Sequence, residues 1–289
     1  VHIARRLLND LGRKENGATM NPNKALWEKG DFTEIAALVR ESEEAVVKSL
    51  GLKPPLRVLD LACGDGTTAA PLARLGAEVV GIDIASNLVE AGNRRAAKAG
   101  LNNLKFQEGD ACNLQGVGDH SFDFTLSMFG AMFAPKPFDV AREMVRVTKP
   151  GGRILMGNWI PNDPTFVAQV LKISSSFNPP PPEGFVSPMT WGVDSHVIES
   201  FGSAGVPKEN ISLIKDTIHF ISPDRSPEQV IGLFRRFYGP TMNAYEAAGK
   251  SGKVEDLQSQ LVELAKSQNK SMDGGTSISA TFLRVTVSL

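Results

Sequence analysis

Residues 57–83 read RVLDLACGDGTTAAPLARLGAEVVGID, and that run leaves little freedom for the chain around it. Residues 57–61 form an apolar strand pattern. Residues 62–66 are a tight turn carrying Gly64 and Gly66, and 67–75 follow a helix pattern. A second apolar strand, 78–82, then ends on a single carboxylate, Asp83. Strand, turn, helix, strand and acid in this order outline a βαβ nucleotide-binding unit. The turn lets the backbone approach a ligand, and the acid can accept hydrogen bonds from two ribose hydroxyls. On this run alone the ligand is any adenosine-containing molecule, because Gly64, Gly66 and Ala69 also fit a dinucleotide fingerprint.

The flanking pattern extends the unit into a sheet. A helix is expected over 34–49, with apolar residues at Ile35, Leu38, Val39, Val46 and Val47, and it is stopped by Gly51 and Pro54-Pro55. Further helices are expected over 86–99 and 137–148, and further strands over 104–107, 122–127 and 153–159, the last after a turn at 149–152. Strands alternating with helices imply right-handed crossovers and a mostly parallel sheet. Residues 160–194 include the proline run 179–182, which excludes helix and central strand there, and they read as a loop-rich insertion. Beyond it come a short helix at 196–204, a strand at 211–221, helices at 227–238, 242–248 and 254–267, and a last strand at 277–288. The expected fold is an α/β, Rossmann-like, seven-stranded and mostly parallel sheet with an antiparallel last strand. The two late strands would pair at one edge. Residues 160–194 and 227–270 would cap the carboxyl ends of the strands around a core at 54–159.

Composition narrows the partners. Thirty-one basic residues face 32 acidic ones, so no net field draws in nucleic acid or acidic lipid. Apolar residues make up 42%, enough for a large core, yet no apolar run reaches membrane-spanning length. The two cysteines, Cys63 and Cys112, fall in the ligand-binding region rather than in a spaced framework. That favours a reducing, cytoplasmic setting without structural disulfides. Residues 1–19 do not begin with Met and carry a broken apolar stripe; they read as a leader or extension before a domain at 20–289.

Four signals, each at the carboxyl end of an expected strand, resemble those of the class I S-adenosylmethionine-dependent methyltransferases. The likeness is to the small-molecule branch that includes ubiquinone- and menaquinone-biosynthesis enzymes. The first is Asp60-Leu-Ala-Cys-Gly-Asp-Gly66, in which Ala62 stands where the family has its first glycine. Asp83 is the second, Gly109-Asp110-Ala111 the third, and Ser121-Phe-Asp-Phe124 through Ser127-Met-Phe129, joined by a helix to Lys149-Pro-Gly-Gly152, the fourth. The resemblance implies S-adenosylmethionine as cofactor. Asp83 would hold the ribose, Asp110 and Ala111 the adenine, and Asp60, Ala62, Cys63, Gly64, Ile84, Ser127 and Met128 the rest of the cofactor wall. It also implies that Trp27, on an N-terminal helix, closes over the cofactor. The implied reaction is methyl transfer to a small-molecule acceptor by in-line displacement, which needs orientation more than acid–base help.

The acceptor side is less defined. Phe129, Trp159 and Trp191 would supply aromatic walls with Trp27, and Arg235 lies in a cluster suited to line the same pocket. His196 and Tyr238 are the candidates for a base. Several features are absent from the sequence: the Asn/Asp-Pro-Pro-aromatic motif of amino-methylating nucleic-acid enzymes, a Cys/His cluster with metal spacing, a P-loop, and the Tyr-x-x-x-Lys pair of short-chain dehydrogenases. A nicotinamide-dependent oxidoreductase and a non-catalytic S-adenosylmethionine sensor are the rival readings.

Overall fold

A computed structural model of the chain describes residues 24–289. The leader expected at 1–19 lies outside the described residues. Two short helices open the described chain, α1 (Lys24–Glu28) and α2 (Thr33–Ala36), followed by α3 (Arg40–Ser49). The nucleotide-binding unit is β1 (Arg57–Leu61), α4 (Ala69–Arg74) and β2 (Glu78–Asp83), continued by α5 (Ser86–Lys98) and β3 (Leu104–Glu108). Next come β4 (Phe122–Met128), α6 (Pro137–Val147) and β5 (Thr148–Trp159), then α7 (Phe166–Phe177), α8 (Asp194–Ser203) and β6 (Ile211–Ser222). Helices α9 (Pro227–Phe237), α10 (Gly239–Ser251) and α11 (Val254–Gln268) precede β7 (Thr276–Ser288).

The seven strands form one sheet in the order β3-β2-β1-β4-β5-β7-β6. Pairings from β3 through β5 are parallel, whereas β7 runs antiparallel to both β5 and β6. The late strands therefore pair at one edge, as their pattern predicts. The order reverses direction at β1 and β4, and in an open parallel sheet the crevice at such a switch point, outside the carboxyl ends, receives the ligand. Strands β1 and β4 are almost wholly buried, which is why they read as continuous apolar runs.

Three expectations need correction. The helix expected over 34–49 is split, because the Leu38 carbonyl leaves the helical ladder and accepts from the Ile221 amide of edge strand β6 at 2.8 Å. Residues 160–194 are not simply loop: they hold the 12-residue helix α7, whose Phe166, Val167 and Val170 are buried, with the proline run placed only after its end. The run Lys149–Gly152 does not separate helix from strand. It bulges out of β5, since Phe122 pairs with Thr148 while Phe124 pairs with Arg153. Lys149 Nζ reaches Asp123 Oδ1 at 2.7 Å across that bulge.

One packing unit holds the nucleotide turn in place. The Phe106 ring of β3 lies against Gly66 of the turn, Gly81 of β2 and Gly92 of α5. A Cβ at Gly81 would sit 2.5 Å from that ring and one at Gly92 2.9 Å away. Glycine at these places is thus set by the close approach of a large side chain. Among the described residues no helix is long and apolar enough to cross a membrane.

Candidate functional site

The turn after β1 is built on left-handed backbone: Ala62 at φ 53°, Gly64 at 55° and Gly66 at 83°. Two of these positions are glycine, which adopts that region freely. Ala62 does so at a cost of roughly 1–2 kcal/mol, and its carbonyl closely abuts Gly130 at the end of β4, where no side chain would fit. The turns ending β1 and β4 thus pack against each other and shape the floor of a cleft.

Asp83 ties the turn to the second strand. Its Oδ2 accepts from the Gly64 amide at 2.8 Å and its Oδ1 from the Ala85 amide at 2.9 Å, at the start of α5. Each carboxylate oxygen keeps a further lone pair. Asp83 is 7% exposed; burial pushes its carboxyl upward, opposed by the backbone amides that favour the ionised form. Asp60, on β1, is more strained electrically. Its Oδ2 accepts from the Thr68 hydroxyl at 2.5 Å, whereas its Oδ1 is buried with no partner among the described residues. Burial is the main reason its carboxyl is pushed up to about 7.

These groups line a single cavity of about 1150 Å³ of empty space, part of it open to solvent. At one end lie Asp83, Ile84, Leu88, Gly109 and Ala111; over the turn lie Asp60, Ala62, Cys63 and Gly64. Met128, Phe129, Trp159, Phe220, Phe234 and Tyr238 are also part of its lining. Phe129 stacks on Trp159, with ring centroids 4.0 Å apart and planes 8° apart. Trp27 of α1 closes the top, packing edge-on against Phe133 at 4.9 Å, Phe32 at 5.6 Å and Tyr238 at 6.1 Å. Helix α1 is fastened there by Glu28, which accepts from the Ser86 hydroxyl at 2.8 Å, and by Lys24, which reaches Glu108 at 2.8 Å. The Tyr238 hydroxyl has no hydrogen-bonding partner among the described residues, and burial raises its pKa. It is a neutral hydroxyl, suited to orienting a ligand and not to taking a proton at neutral pH.

Of the residues singled out from the sequence, Trp27, Asp60, Ala62, Cys63, Gly64, Asp83, Ile84, Ala111, Met128, Phe129, Trp159 and Tyr238 meet in this cavity. Five do not line it. Asp110 braces its own loop, accepting from the Cys112 amide at 2.8 Å beside Ala111. Ser127 accepts from the Ala131 amide at 2.9 Å and fixes the turn after β4. Trp191 is buried elsewhere, edge-on to His196 at 6.1 Å and near Phe201 at 5.9 Å, so the fourth aromatic wall expected from the sequence is missing. His196 packs in that same cluster against Phe138, and burial lowers its pKa. Arg235 is exposed, its guanidinium 4.6 Å above the Tyr245 ring. Both cysteines are free thiols whose pKa burial raises, Cys112 to about 12, so neither is a ready nucleophile. Sequence reasoning missed Phe234, Val167, Ile218, Phe220 and Glu43, all of which line the cavity.

Comparison with known proteins agrees with this layout. Residues 59–156 match the family model described as a methyltransferase domain. An uncharacterized protein of Mycobacterium tuberculosis is 32% identical over 256 residues, which cover 87% of this chain and 90% of that protein. A demethylmenaquinone methyltransferase of Paenarthrobacter aurescens is 37% identical over 120 residues, 42% of this chain and 45% of that enzyme. Among solved structures, the YcgJ protein of Bacillus subtilis superposes with a TM-score of 0.53 at 19% identity, covering 86% of this chain and 98% of that one. A Haemonchus contortus phosphoethanolamine N-methyltransferase, solved with phosphomonomethylethanolamine and S-adenosylhomocysteine, superposes with a TM-score of 0.54 at 17% identity, over 86% of this chain and 52% of that one. These two likenesses establish the fold.

Proposed function

The chain belongs to the class I S-adenosylmethionine-dependent methyltransferases, and from that premise we propose that it methylates a small, largely apolar acceptor held against the Phe129–Trp159 stack. The observation that carries the proposal is one cavity lined both by Asp83 and by the stacked Phe129 and Trp159. Residues suited to an adenosine, around Asp83, and residues suited to an apolar acceptor, around the Phe129–Trp159 stack, line that one cavity.

The residues present fit the cofactor. Asp83 has lone pairs free for two ribose hydroxyls after anchoring Gly64 and Ala85. Ile84, Leu88 and Ala111 offer an apolar slot beside it for a flat base, and the orphaned Asp60 Oδ1 calls for a donor from the ligand. When bound, S-adenosylmethionine supplies a methyl group already activated on sulfonium. The chain's part is to orient and enclose. Trp27 excludes water from above, Phe129 and Trp159 fix the plane of the acceptor, and the Tyr238 hydroxyl donates to or accepts from it. Alignment of this kind supplies about 7–11 kcal/mol of a barrier. No described titratable group on the acceptor side takes a proton near neutral pH, which suits an acceptor that is nucleophilic as bound.

The test is calorimetry with S-adenosylhomocysteine, expected to show micromolar binding, followed by a panel of small phenolic, thiol and amine acceptors. Absence of heat, or fluorescence enhancement of NADH in its place, would overturn the reading. Binding with no turnover on any acceptor would favour a sensor. Trp27→Ala should weaken S-adenosylhomocysteine about tenfold by opening the cavity to water. Its melting temperature should fall by a few degrees as well, because three edge-on ring contacts within the fold, each worth about 0.5–1.5 kcal/mol, are lost; an unchanged Kd would remove the lid role.

A further inference from the structure

One carboxylate that lines the cavity makes no hydrogen bond or ion pair among the described residues. Glu43 of α3 is 6% exposed and lines the cavity beside Asp60, Asp65, Thr67 and Thr68. Among the described residues, what acts on its carboxyl is burial and the charges of Asp60, Asp65, Arg95 and Arg40, with no hydrogen bond among them. The nearest cations, Arg95 and Arg40, act on it through their charge and favour its ionised form, and Arg40 Nε is itself buried without a partner among the described residues. Arg40, on the same helix, pairs with Asp65 Oδ2, and Arg95 of α5 lies 3.7 Å from Asp65 Oδ1 while donating to the Asp65 carbonyl at 3.3 Å. Arg74 of α4 faces Glu44 at 4.0 Å, and His219 of β6 meets Ser279. Asp60 of β1 adds a second open carboxylate oxygen to the same end of the cavity.

Two buried carboxyls side by side are unfavourable when both are ionised and nothing neutralises them. Burial first, then the charges of Asp60 and Asp65, push the Glu43 carboxyl well above the usual carboxylate range. Both influences favour the protonated form of Glu43 in the ligand-free protein. A cation entering this end would meet two acceptors and would reverse that preference.

Strand order says which cation. Gly109 and Ala111 follow β3, Asp83 ends β2 and Asp60 lies on β1. A cofactor with its adenosine at β3 and β2 extends its amino-acid end over β1, beneath α3. Its sulfonium must face the acceptor wall at Phe129, so the other cation, the α-ammonium, is the one that faces Glu43. We propose that Glu43 and Asp60 together clamp the α-ammonium of the cofactor, with Glu43 releasing its proton to solvent as the cation enters. This rests on the assignment of the cavity to S-adenosylmethionine. It makes Glu43 a cofactor-binding residue and cofactor affinity pH-dependent.

The direction follows from linkage. A cation binds the ionised pair, so affinity rises with pH through the range in which the ligand-free carboxyls titrate, and levels off above it. The probes are S-adenosylhomocysteine, S-adenosylmethionine and 5′-methylthioadenosine, which lacks the amino-acid end. Calorimetry of the intact protein in phosphate and in Tris should show proton release with S-adenosylhomocysteine, and an affinity that rises with pH. Glu43→Gln should reduce the proton release, weaken S-adenosylhomocysteine about tenfold or more at pH 8, and leave 5′-methylthioadenosine unchanged, which also shows that the variant is folded. An unaltered affinity and proton count for S-adenosylhomocysteine in Glu43→Gln would overturn the clamp. Weakening of S-adenosylmethionine alone would also overturn it, by placing the carboxylate at the sulfonium. Failure of the unaltered protein to bind any of the three would instead strike the cofactor assignment on which the clamp depends.

Discussion

Asp83→Ala is expected to weaken S-adenosylhomocysteine by a hundredfold or more. The bound ribose would lose two hydrogen bonds to a charged acceptor, each worth roughly 1.5–3 kcal/mol, and the lower bound of that sum already exceeds two factors of ten. A further loss is indirect. The same carboxylate holds the Gly64 amide at 2.8 Å and the Ala85 amide at 2.9 Å, so its removal frees the turn and the start of α5 together. Both amides are left without their acceptor, and the melting temperature should fall by several degrees as well. Circular dichroism separates the two effects, since a folded variant that has lost the ligand isolates the binding loss. Asp83→Asn is no neutral control. An amide nitrogen would have to face one of two backbone donors, and the turn would be disturbed even though the shape is kept. An Asp83→Ala protein with unchanged affinity would take Asp83 out of the site.

Why Asp83 was legible and Glu43 was not is a matter of periodicity. Asp83 closes an apolar strand, and a lone acid at the carboxyl end of a strand beside a glycine turn has few structural uses. Glu43 sits in the run Glu41-Ser-Glu-Glu44, where composition reads as an exposed helical face. Only spacing distinguishes it: Val39, Glu43, Val46 and Val47 fall on one stripe, which turns the acid inward. The same rule sorts α9. Phe234 and Tyr238 lie four residues apart on one face and both reach the cavity, whereas Arg235 is one step round and exposed.

Other differences arose where tertiary contacts override local pattern. The strands of the nucleotide-binding unit were readable to within a residue because they are buried on both faces and admit no alternative. Nothing in residues 34–49 announces the break near Leu38, because its cause is a hydrogen bond to Ile221, far along the chain. Helix α7 was masked by the prolines that follow it, though Phe166, Val167 and Val170 already carry a helical stripe. Trp191 lies at the end of the 160–194 insertion, whose position suggests convergence with Trp27, Phe129 and Trp159; here its ring fills the space between Phe201 and His196. A ring's size predicts burial, and only the topology decides which cavity it fills.

Phe106→Ala should be the most damaging core substitution in the nucleotide-binding unit, at about 3–5 kcal/mol. The usual cost of deleting a buried aromatic ring applies, and two features hold it at the upper end. The walls around the ring are Gly66, Gly81 and Gly92, which have no side chains to move into the space left behind. They also belong to three different elements, so relaxation would have to bring the turn, β2 and α5 inward at once. The Phe106 amide and carbonyl are both held by Asn93 at 3.1 Å, which keeps β3 in register with α5 and resists that collapse. Loss of the ring also frees Gly66, in the turn that floors the cofactor cavity, so S-adenosylhomocysteine affinity should fall although Phe106 does not line that cavity. Denaturant unfolding measures the first effect and calorimetry the second. Filling the wall from the other side tests the same contact with opposite geometry: Gly81→Ala places a methyl group into the Phe106 ring and should be destabilising by overpacking in the native background. Combined with Phe106→Ala, that same methyl group occupies part of the vacated space, and the double variant should be more stable than the sum of the two single losses. Strict additivity would mean that the ring and the glycines do not form one packing unit.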